Sequence, residues 1–358
     1  MGLPDNCEFT FNRKYHPGHR NLITDVPGVT VGHCTLEDDG KHIHTGVTAI
    51  LPHGGNLFRK KTAAGVSIIN GFGKSAGLIQ AKELGTIETP VLMTNTFSVG
   101  TAVSALTKYM LQQNEDIGVS TCTVNCLVTE CNDGELNDIR GMHVTEEDVT
   151  RALCSTGESF REGAVGAGTG MICMGLKGGI GSASRLVSLD DNEYTIGALV
   201  LSNFGEAGNL RIDGKRISHS CGTPDPAGSN AGDKGSIIIL IGTDIPMDSR
   251  QLERIAKRAS ASLGRVGSFM GTGSGDIAIA FSNGTIIPHY PESAFIDMKT
   301  VSESSIDRVF EPAVEAVEEA IISSLYHSTT TSGIRNKTVM GLRDMLIKQA
   351  DMKKKGLE

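Results

Sequence analysis

Apolar positions along the chain fall into short runs separated by glycine, proline and small polar residues, with stretches of helical spacing between them. Residues 29–31 alternate after the Pro27-Gly28 turn, and residues 45–51 form a second strand-like run ended by Pro52-His53-Gly54-Gly55. Residues 66–69, 91–94, 124–128 and 194–202 read the same way. Val99, Val103, Leu106 and Met110 recur near helical spacing and predict a helix over 98–112. Thr145-x-x-Asp148 is a capping pattern that opens another helix through Leu153. Leu252, Ile255, Ala256, Ala259 and Leu263 define an amphipathic helix, and a helical pattern over 306–326 contains Pro312, expected as a kink or boundary. Strand and helix alternate, so the expected class is layered α/β.

Two stretches depart from this rhythm. Residues 237–241 are an unbroken apolar run bounded by glycine, which reads as a strand buried on both faces. The preceding residues 210–235 hold prolines, glycines, serines and aspartates without apolar periodicity, and read as a long exposed loop. Gly235-Ser236 therefore stands where a flexible loop meets a rigid strand. If Ser236 Oγ attacks the Gly235 carbonyl carbon, the peptide becomes an ester, hydrolysis cuts the chain, and Ser236 becomes an N-terminus. Its amine would titrate at about 7.7 to 8.0, so nucleophile and base would share one residue. A glycine before the serine tolerates the strained backbone that such a shift requires. Gly-Ser also describes the plain start of a strand. The second stretch, G-T-G-S-G at 271–275, tips into a strand with Ile277, Ile279 and Phe281 on one face, which puts Ser274 and Asp276 together on one side of its start.

Composition narrows the function. A chain of 358 residues with net charge -8 can bury a substantial core and argues against a nucleic-acid partner. Its 44 glycines, 4% aromatic content and lack of Trp fit many tight turns and close backbone approaches. No apolar stretch has the length of a membrane span, and the start M-G-L-P-D-N-C lacks a signal-peptide pattern, so a soluble cytoplasmic protein with no membrane partner is expected. The eight cysteines are expected to be reduced, and Cys122, Cys126 and Cys131 lack zinc-knuckle spacing. His42 and His44 flank Ile43, as strand neighbours on one face could, but no third ligand is evident, and no metal is expected. The string 70–75 ends in G-K-S, yet Ile68 stands where a phosphate loop needs glycine, so a turn into a helix over 76–84 is expected. The glycine-rich segment 163–181 departs from the dinucleotide fingerprint, and close backbone packing is expected there. Residues 130–134, Glu-Cys-Asn-Asp-Gly, read as a turn carrying two carboxylates, and residues 1–20 as a loose arm.

A set of segments in order carries a resemblance: I-T-D-V-P-G-V-T-V-G-H (23–33), N-G-F-G-K (70–74), T-N-T (94–96), N-D-G-E-L-N-D-I (132–139), G-A-V-G-A-G-T-G-M (163–171), L-K-G-G-I-G (176–181), D-K-G-S-I-I (233–238) and G-S-G-D-I (273–277). Together they resemble the self-processing L-aminopeptidase/D-Ala-esterase-amidase and β-aminopeptidase family. The resemblance implies a single four-layer αββα domain over 1–358, like that of N-terminal-nucleophile hydrolases. It implies cleavage in the 210–235 processing loop into an α chain, 1–235, and a β chain, 236–358, which stay together in a homo-oligomer of α/β heterodimers. The implied activity is that of an autoproteolytically activated serine aminopeptidase/amidase. Such an enzyme removes N-terminal residues from short peptides, amides or esters through an acyl-enzyme on Ser236, without a cofactor. By the same resemblance Ser274 and Asp276 assist the nucleophile, Asn203 serves the oxyanion site, and Glu130 holds the substrate's free amine. Asn132 stands where many members carry Tyr, which implies a different acyl-site geometry and side-chain preference. Two other classes fit the same residues: a self-cleaving acyltransferase of the ornithine-acetyltransferase type, and a scaffold that is never processed.

Overall fold

A computed structural model describes residues 11–217 and 235–354. The first ten residues of the arm and residues 218–234 of the processing loop lie outside the described residues. The first half holds β1 (Thr30–Asp38), β2 (Ile43–Leu51), β3 (Lys60–Gly71), α1 (Leu78–Leu84), β4 (Thr86–Ile87), β5 (Val91–Asn95), α2 (Val99–Gln113), β6 (Leu127–Cys131) and α3 (Glu146–Cys154). A small ribbon, β7 (Ile172–Cys173) and β8 (Leu176–Lys177), then leads to β9 (Gly179–Leu189) and β10 (Asn192–Asn203). After the ribbon β11 (Arg211–Ile212) and β12 (Lys215–Arg216) come β13 (Ser236–Thr243), α4 (Ser249–Arg265), β14 (Gly275–Pro288) and α5 (Asp307–Tyr326). The ribbon β15 (Thr331–Ser332) and β16 (Thr338–Val339) and the helix α6 (Leu342–Lys354) close the chain.

Two sheets result, one of order β1-β2-β5-β6 and one of order β4-β3-β14-β13-β10-β9. Strand alternation sorts their side chains into three cores. Ile238, Leu240, Leu199, Leu201, Ile277 and Ile279 of the larger sheet meet Ile50, Val91, Met93 and Leu127 of the smaller one. On the other face of the larger sheet, Ile237, Ile239, Ile241, Val200 and Ala278 pack against Leu252, Ile255 and Ala259 of α4 and Val317 and Ile321 of α5. On the outer face of the smaller sheet, Val47, Ala49, Leu92 and Val128 carry Leu106 and Met110 of α2 and Val149 and Leu153 of α3. The layers are therefore α, β, β, α. Strand β13 is buried at every position because it is central in its sheet and covered on both faces, as its unbroken apolar run requires.

Other local expectations also hold. The Thr145/Asp148 capping box forms, with the Thr145 N–H donating to Asp148 Oδ2 at 2.8 Å. In the glycine-rich segment Gly163 and Ile180 exchange two backbone hydrogen bonds of 2.7 and 2.9 Å, so it packs main chain to main chain.

Several local expectations change; the strand read at 124–128 lies at Leu127–Cys131, so Glu130 and Cys131 belong to it rather than to a turn. Residues 11–20 are docked rather than loose. Phe11 is buried, Arg13 pairs with Glu319, and the N–H groups of Lys14 and Tyr15 donate to Glu315 at 2.8 and 3.2 Å. The cause lies one layer down: Glu315 and Glu319, one turn apart on α5, are buried against the fully buried Arg185, whose Nη2 donates to Glu319 at 2.6 Å. Those carboxylates hold acceptor capacity that the arm's donors fill. Of the two readings of Pro312 the boundary is excluded, because it lies buried inside α5. Residues 210–217, the start of the expected loop, are structured, because Leu210 is fully buried and the Ile217 N–H donates to its carbonyl at 2.9 Å.

Candidate active site

Ser236 opens β13, and the two ladders beside it decide its neighbours. Its Cα partner on one side is Asn203, the last residue of β10, and on the other Gly275, the first residue of β14. Ser236 shares the parity of Ile238 and Leu240, and Asn203 that of Leu199 and Leu201, so both side chains point between the sheets. The Gly275 N–H donates to Ser236 Oγ at 3.2 Å. Gly235 has no room for a side chain: a Cβ there would lie 1.9 Å from the Asn203 carbonyl oxygen and 2.6 Å from Phe204 Cα. The bond before Ser236 is thus pressed against the Asn203 backbone.

The Asn203 amide is fixed at both ends. Its Oδ1 accepts from the Ile172 N–H at 2.8 Å, and its Nδ2 donates to the Asn132 carbonyl at 2.9 Å. Asn132 joins the site through its main chain; its exposed side chain instead accepts the Gly134 N–H at 2.9 Å. Ser274 and Asp276 are both fully buried, and Ser274 Oγ donates to Asp276 Oδ1 at 2.5 Å, as their spacing implies. The loop that delivers them is held by Asn70 at the end of β3. Asn70 Nδ2 donates to the Gly271 carbonyl at 3.0 Å and to the Ser274 carbonyl.

Glu130 sits near the end of β6, 3% exposed, with its carboxylate between two donors: the Lys74 N–H at 2.9 Å and the Thr96 hydroxyl. Segment 72–74 ties it to the nucleophile's side of the cleft. The Phe72 carbonyl is packed so closely on Gly275 that a Cβ there would meet it at 2.4 Å, and two residues later Lys74 bonds Glu130. Two residues of chain reach at most roughly 7 Å. Phe72 and Phe97, neighbours in sequence of these donors, are 59% and 51% exposed.

Both carboxylates of segment 130–134 are buried, Glu130 near the end of β6 and Asp133 just after it. Asp133 is fully buried, and burial pushes its carboxyl up to about 6, against hydrogen bonds from Thr45, Asn137 and Asn95 that pull it down. Behind it, burial pushes the Lys177 ammonium down to about 7, with Glu37 and Asp133 pulling it back up. An unfolded Asp releases its proton near the ordinary value of about 3.9. Between about pH 4 and 6 the folded chain therefore binds more protons here than the unfolded chain, and stability falls as pH rises through that window. Asp133→Asn removes the titration. The melting temperature of the variant relative to wild type is expected to climb from about pH 4 to about pH 7, by the equivalent of roughly two pKa units or on the order of 3 kcal/mol. A pH-independent difference between the two would contradict the assignment.

Sequence reasoning brought forward Ser236, Asn203, Ser274, Asp276, Glu130 and Asn132, and the fold places them along one end of the paired sheets. It assigned no role to Asn70, Thr96, Asp133 or Lys177. A signal was present, since all four lie in segments of the resemblance and Asn70 directly follows the apolar run 66–69.

Comparison with known proteins identifies the family of this chain. The model of peptidase family S58 matches residues 21–339. The β-peptidyl aminopeptidase BapA of Sphingosinicella microcystinivorans is 38% identical over 346 residues, covering 91% of this chain and 86% of that protein. Among solved structures, the PH0078 protein of Pyrococcus horikoshii OT3 superposes with a TM-score of 0.86 at 49% identity, covering 97% of this chain and 98% of that one. The L-aminopeptidase D-Ala-esterase/amidase of Ochrobactrum anthropi, a prototype for the serine aminopeptidases and a variant of the Ntn hydrolase fold, superposes at 0.87 with 35% identity, covering 97% of each chain. With the family's model matched across most of its length and a relative this similar, the chain belongs to peptidase family S58 and is a peptide-bond hydrolase on a variant of the Ntn hydrolase fold.

Proposed function

We propose that this chain is a self-activating serine aminopeptidase/amidase that cuts itself before Ser236 and then removes N-terminal residues from short peptides, amino-acid amides or esters. The observation that carries the reading is the junction itself. A buried serine hydroxyl opens a central strand, a glycine that only glycine can be precedes it, and an asparagine amide is fixed on its ladder partner. In maturation Ser236 Oγ adds to the Gly235 carbonyl carbon, the C–N bond breaks, and the leaving nitrogen keeps its own proton and gains the one lost from Oγ, becoming the Ser236 amine. Water hydrolyses the ester, leaving 1–235 and 236–358 as two chains of one domain. In turnover the amine takes the Oγ proton as Oγ attacks the substrate carbonyl, then gives it to the departing amine, and water releases the acid from the acyl-enzyme. Asn203 Nδ2 has two N–H donors; one holds the Asn132 carbonyl, and the other is assigned to the developing oxyanion. Ser274 and Asp276 hold the amine in place from the neighbouring strand.

Glu130 is assigned to the substrate's ammonium, because a buried carboxylate with one donor per oxygen retains acceptor capacity toward the cleft. Glu130→Gln is expected to lower kcat/KM for a free-amine p-nitroanilide about 10- to 100-fold, mostly through KM, the size of one charge-assisted contact. An unchanged KM would remove Glu130 from substrate binding. Family relatives active on β-peptides and on L-amino-acid amides motivate assay of both classes.

The processed heterodimers are assigned to a homo-oligomer. The segment after β14 exposes Tyr290, Phe295, Ile296 and Met298, an apolar surface of the kind that subunit contacts cover. A cytoplasmic location is proposed from the unpaired thiols, among the described residues, of Cys34, Cys122, Cys126, Cys131 and Cys154. No described helix is long and apolar enough to cross a membrane.

A further inference from the structure

Away from the nucleophile, the hairpin of β1 and β2 carries a cluster that the peptidase chemistry does not use. Glu37 and His44 are Cα partners across the ladder, and Asp39 opens the short 3-10 turn (Asp39–Lys41) that joins the two strands. His42 leaves the strand in a left-handed conformation with φ 55°, so it is not the companion of His44 that the sequence spacing implies. His44 is fully buried, and neither of its ring nitrogens has a hydrogen-bond partner among the described residues. A buried imidazole left this way is costly, because both nitrogens lose water without replacement.

The atoms facing it are carboxylate oxygens. Asp39 Oδ1 lies 3.6 Å from Nε2, and Glu37 Oε1 lies 3.9 Å from Nδ1. These gaps are too long for hydrogen bonds. They are close to the separation of about 3.4 Å that two ligands keep around an ion bonded to each at about 2.1 Å. One ligand atom from each of Glu37, Asp39 and His44 lies within 4.8 Å of the others. The buried ammonium behind them does not fill the gap, because Lys177 Nζ donates to the carbonyls of Gly168, Met171 and Gly178 at 3.0, 3.0 and 2.7 Å. The Glu37 and Asp39 side chains are exposed, which leaves an open entrance and room for water.

We propose that Glu37, Asp39 and one ring nitrogen of His44 bind a single divalent first-row cation, with water completing its coordination. A mixed imidazole and carboxylate set suits Zn²⁺ and its neighbours better than an all-oxygen ion such as Mg²⁺. The ion is a brace, and no step of hydrolysis passes through it. The main-chain N–H of His44 donates to Asn137 Oδ1 at 3.0 Å, and the Asp138 N–H donates to the His42 carbonyl at 2.8 Å. Fixing the hairpin end thereby fixes the 132–138 loop, whose first carbonyl holds Asn203.

The test is calorimetric titration of Zn²⁺ into tag-free, chelator-stripped full-length protein, with melting curves at each concentration, for wild type, Glu37→Gln/Asp39→Asn and His44→Gln. Wild type is expected to bind one Zn²⁺ per chain and to melt at a higher temperature with it. The double variant changes only exposed side chains and keeps the fold. It is expected to bind more than about 100-fold more weakly, beyond the loss typical of outer-shell partners, with no Zn²⁺-dependent rise in melting temperature. Absence of stoichiometric binding in wild type would overturn the site. So would equal binding by the double variant, which would move the ion to other donors such as the exposed thiols of Cys122 and Cys154. If His44→Gln does not fold, the double variant decides alone.

Discussion

Ser236→Ala is expected to leave one uncut chain and to lower kcat/KM by about 10⁴-fold or more. The substitution removes one oxygen that accepts a single N–H, from Gly275, while β13 keeps its ladders to β10 and β14 and its burial on both faces. The fold therefore has no reason to fail, and the melting curve of the uncut variant should stay cooperative. Activity has two reasons to fail. The nucleophile is gone, and without cleavage the α-amine assigned as its base is never released. The check is hydrolysis of an amino-acid p-nitroanilide beside a denaturing gel. Substantial turnover by the uncut variant would contradict the assignment of both roles to Ser236.

Asn203→Ala is expected to be nearly as severe, with kcat falling about 100- to 1000-fold, the usual cost of one oxyanion donor. Its structural contacts need separating from this effect. Truncation also strips partners from the Ile172 N–H and the Asn132 carbonyl, and each buried group left unsatisfied costs about 1 to 3 kcal/mol of stability. Asn203→Asp supplies the control, because it still accepts the Ile172 N–H but presents no donor and adds a negative charge beside a developing anion. Both variants should lose kcat with little change in KM, and the aspartate should restore part of the melting temperature without restoring rate. Recovery of rate with stability would make Asn203 a positioning residue instead.

How much of this was legible beforehand depended on how local each cause is. The 237–241 run announced a central strand because burial on both faces leaves no place for a polar residue. The Ser274 and Asp276 contact followed from strand alternation alone. Thr145 announced its helix because a capping box is complete within four residues. Contacts over long sequence separations were not legible in this way. Glu130 meets Thr96 and Lys74 only because β6 pairs with β5 and segment 72–77 crosses its free edge. The docked arm is specified by carboxylates about 300 residues away on α5, which no local pattern connects to Arg13. Asp133 read as one of two carboxylates of a turn, and only the fold shows that it is fully buried. His44 read as half of a histidine pair because a strand was assumed to continue through His42, where the chain instead turns left-handed. The ordered segments identified the family by resemblance, and the roles of Asn70 and Thr96 inside them needed the sheets to be assembled.

The central claim is that the chain becomes an enzyme by cutting itself, and the most direct test is the intact mass and N-terminal sequence of the purified wild-type protein. The account predicts two chains that copurify, the second beginning Ser-Ile-Ile-Ile at position 236. A single uncut chain in a preparation that hydrolyses substrate would contradict it, because the Ser236 amine would then still be locked in a peptide bond and the base would have to be another group.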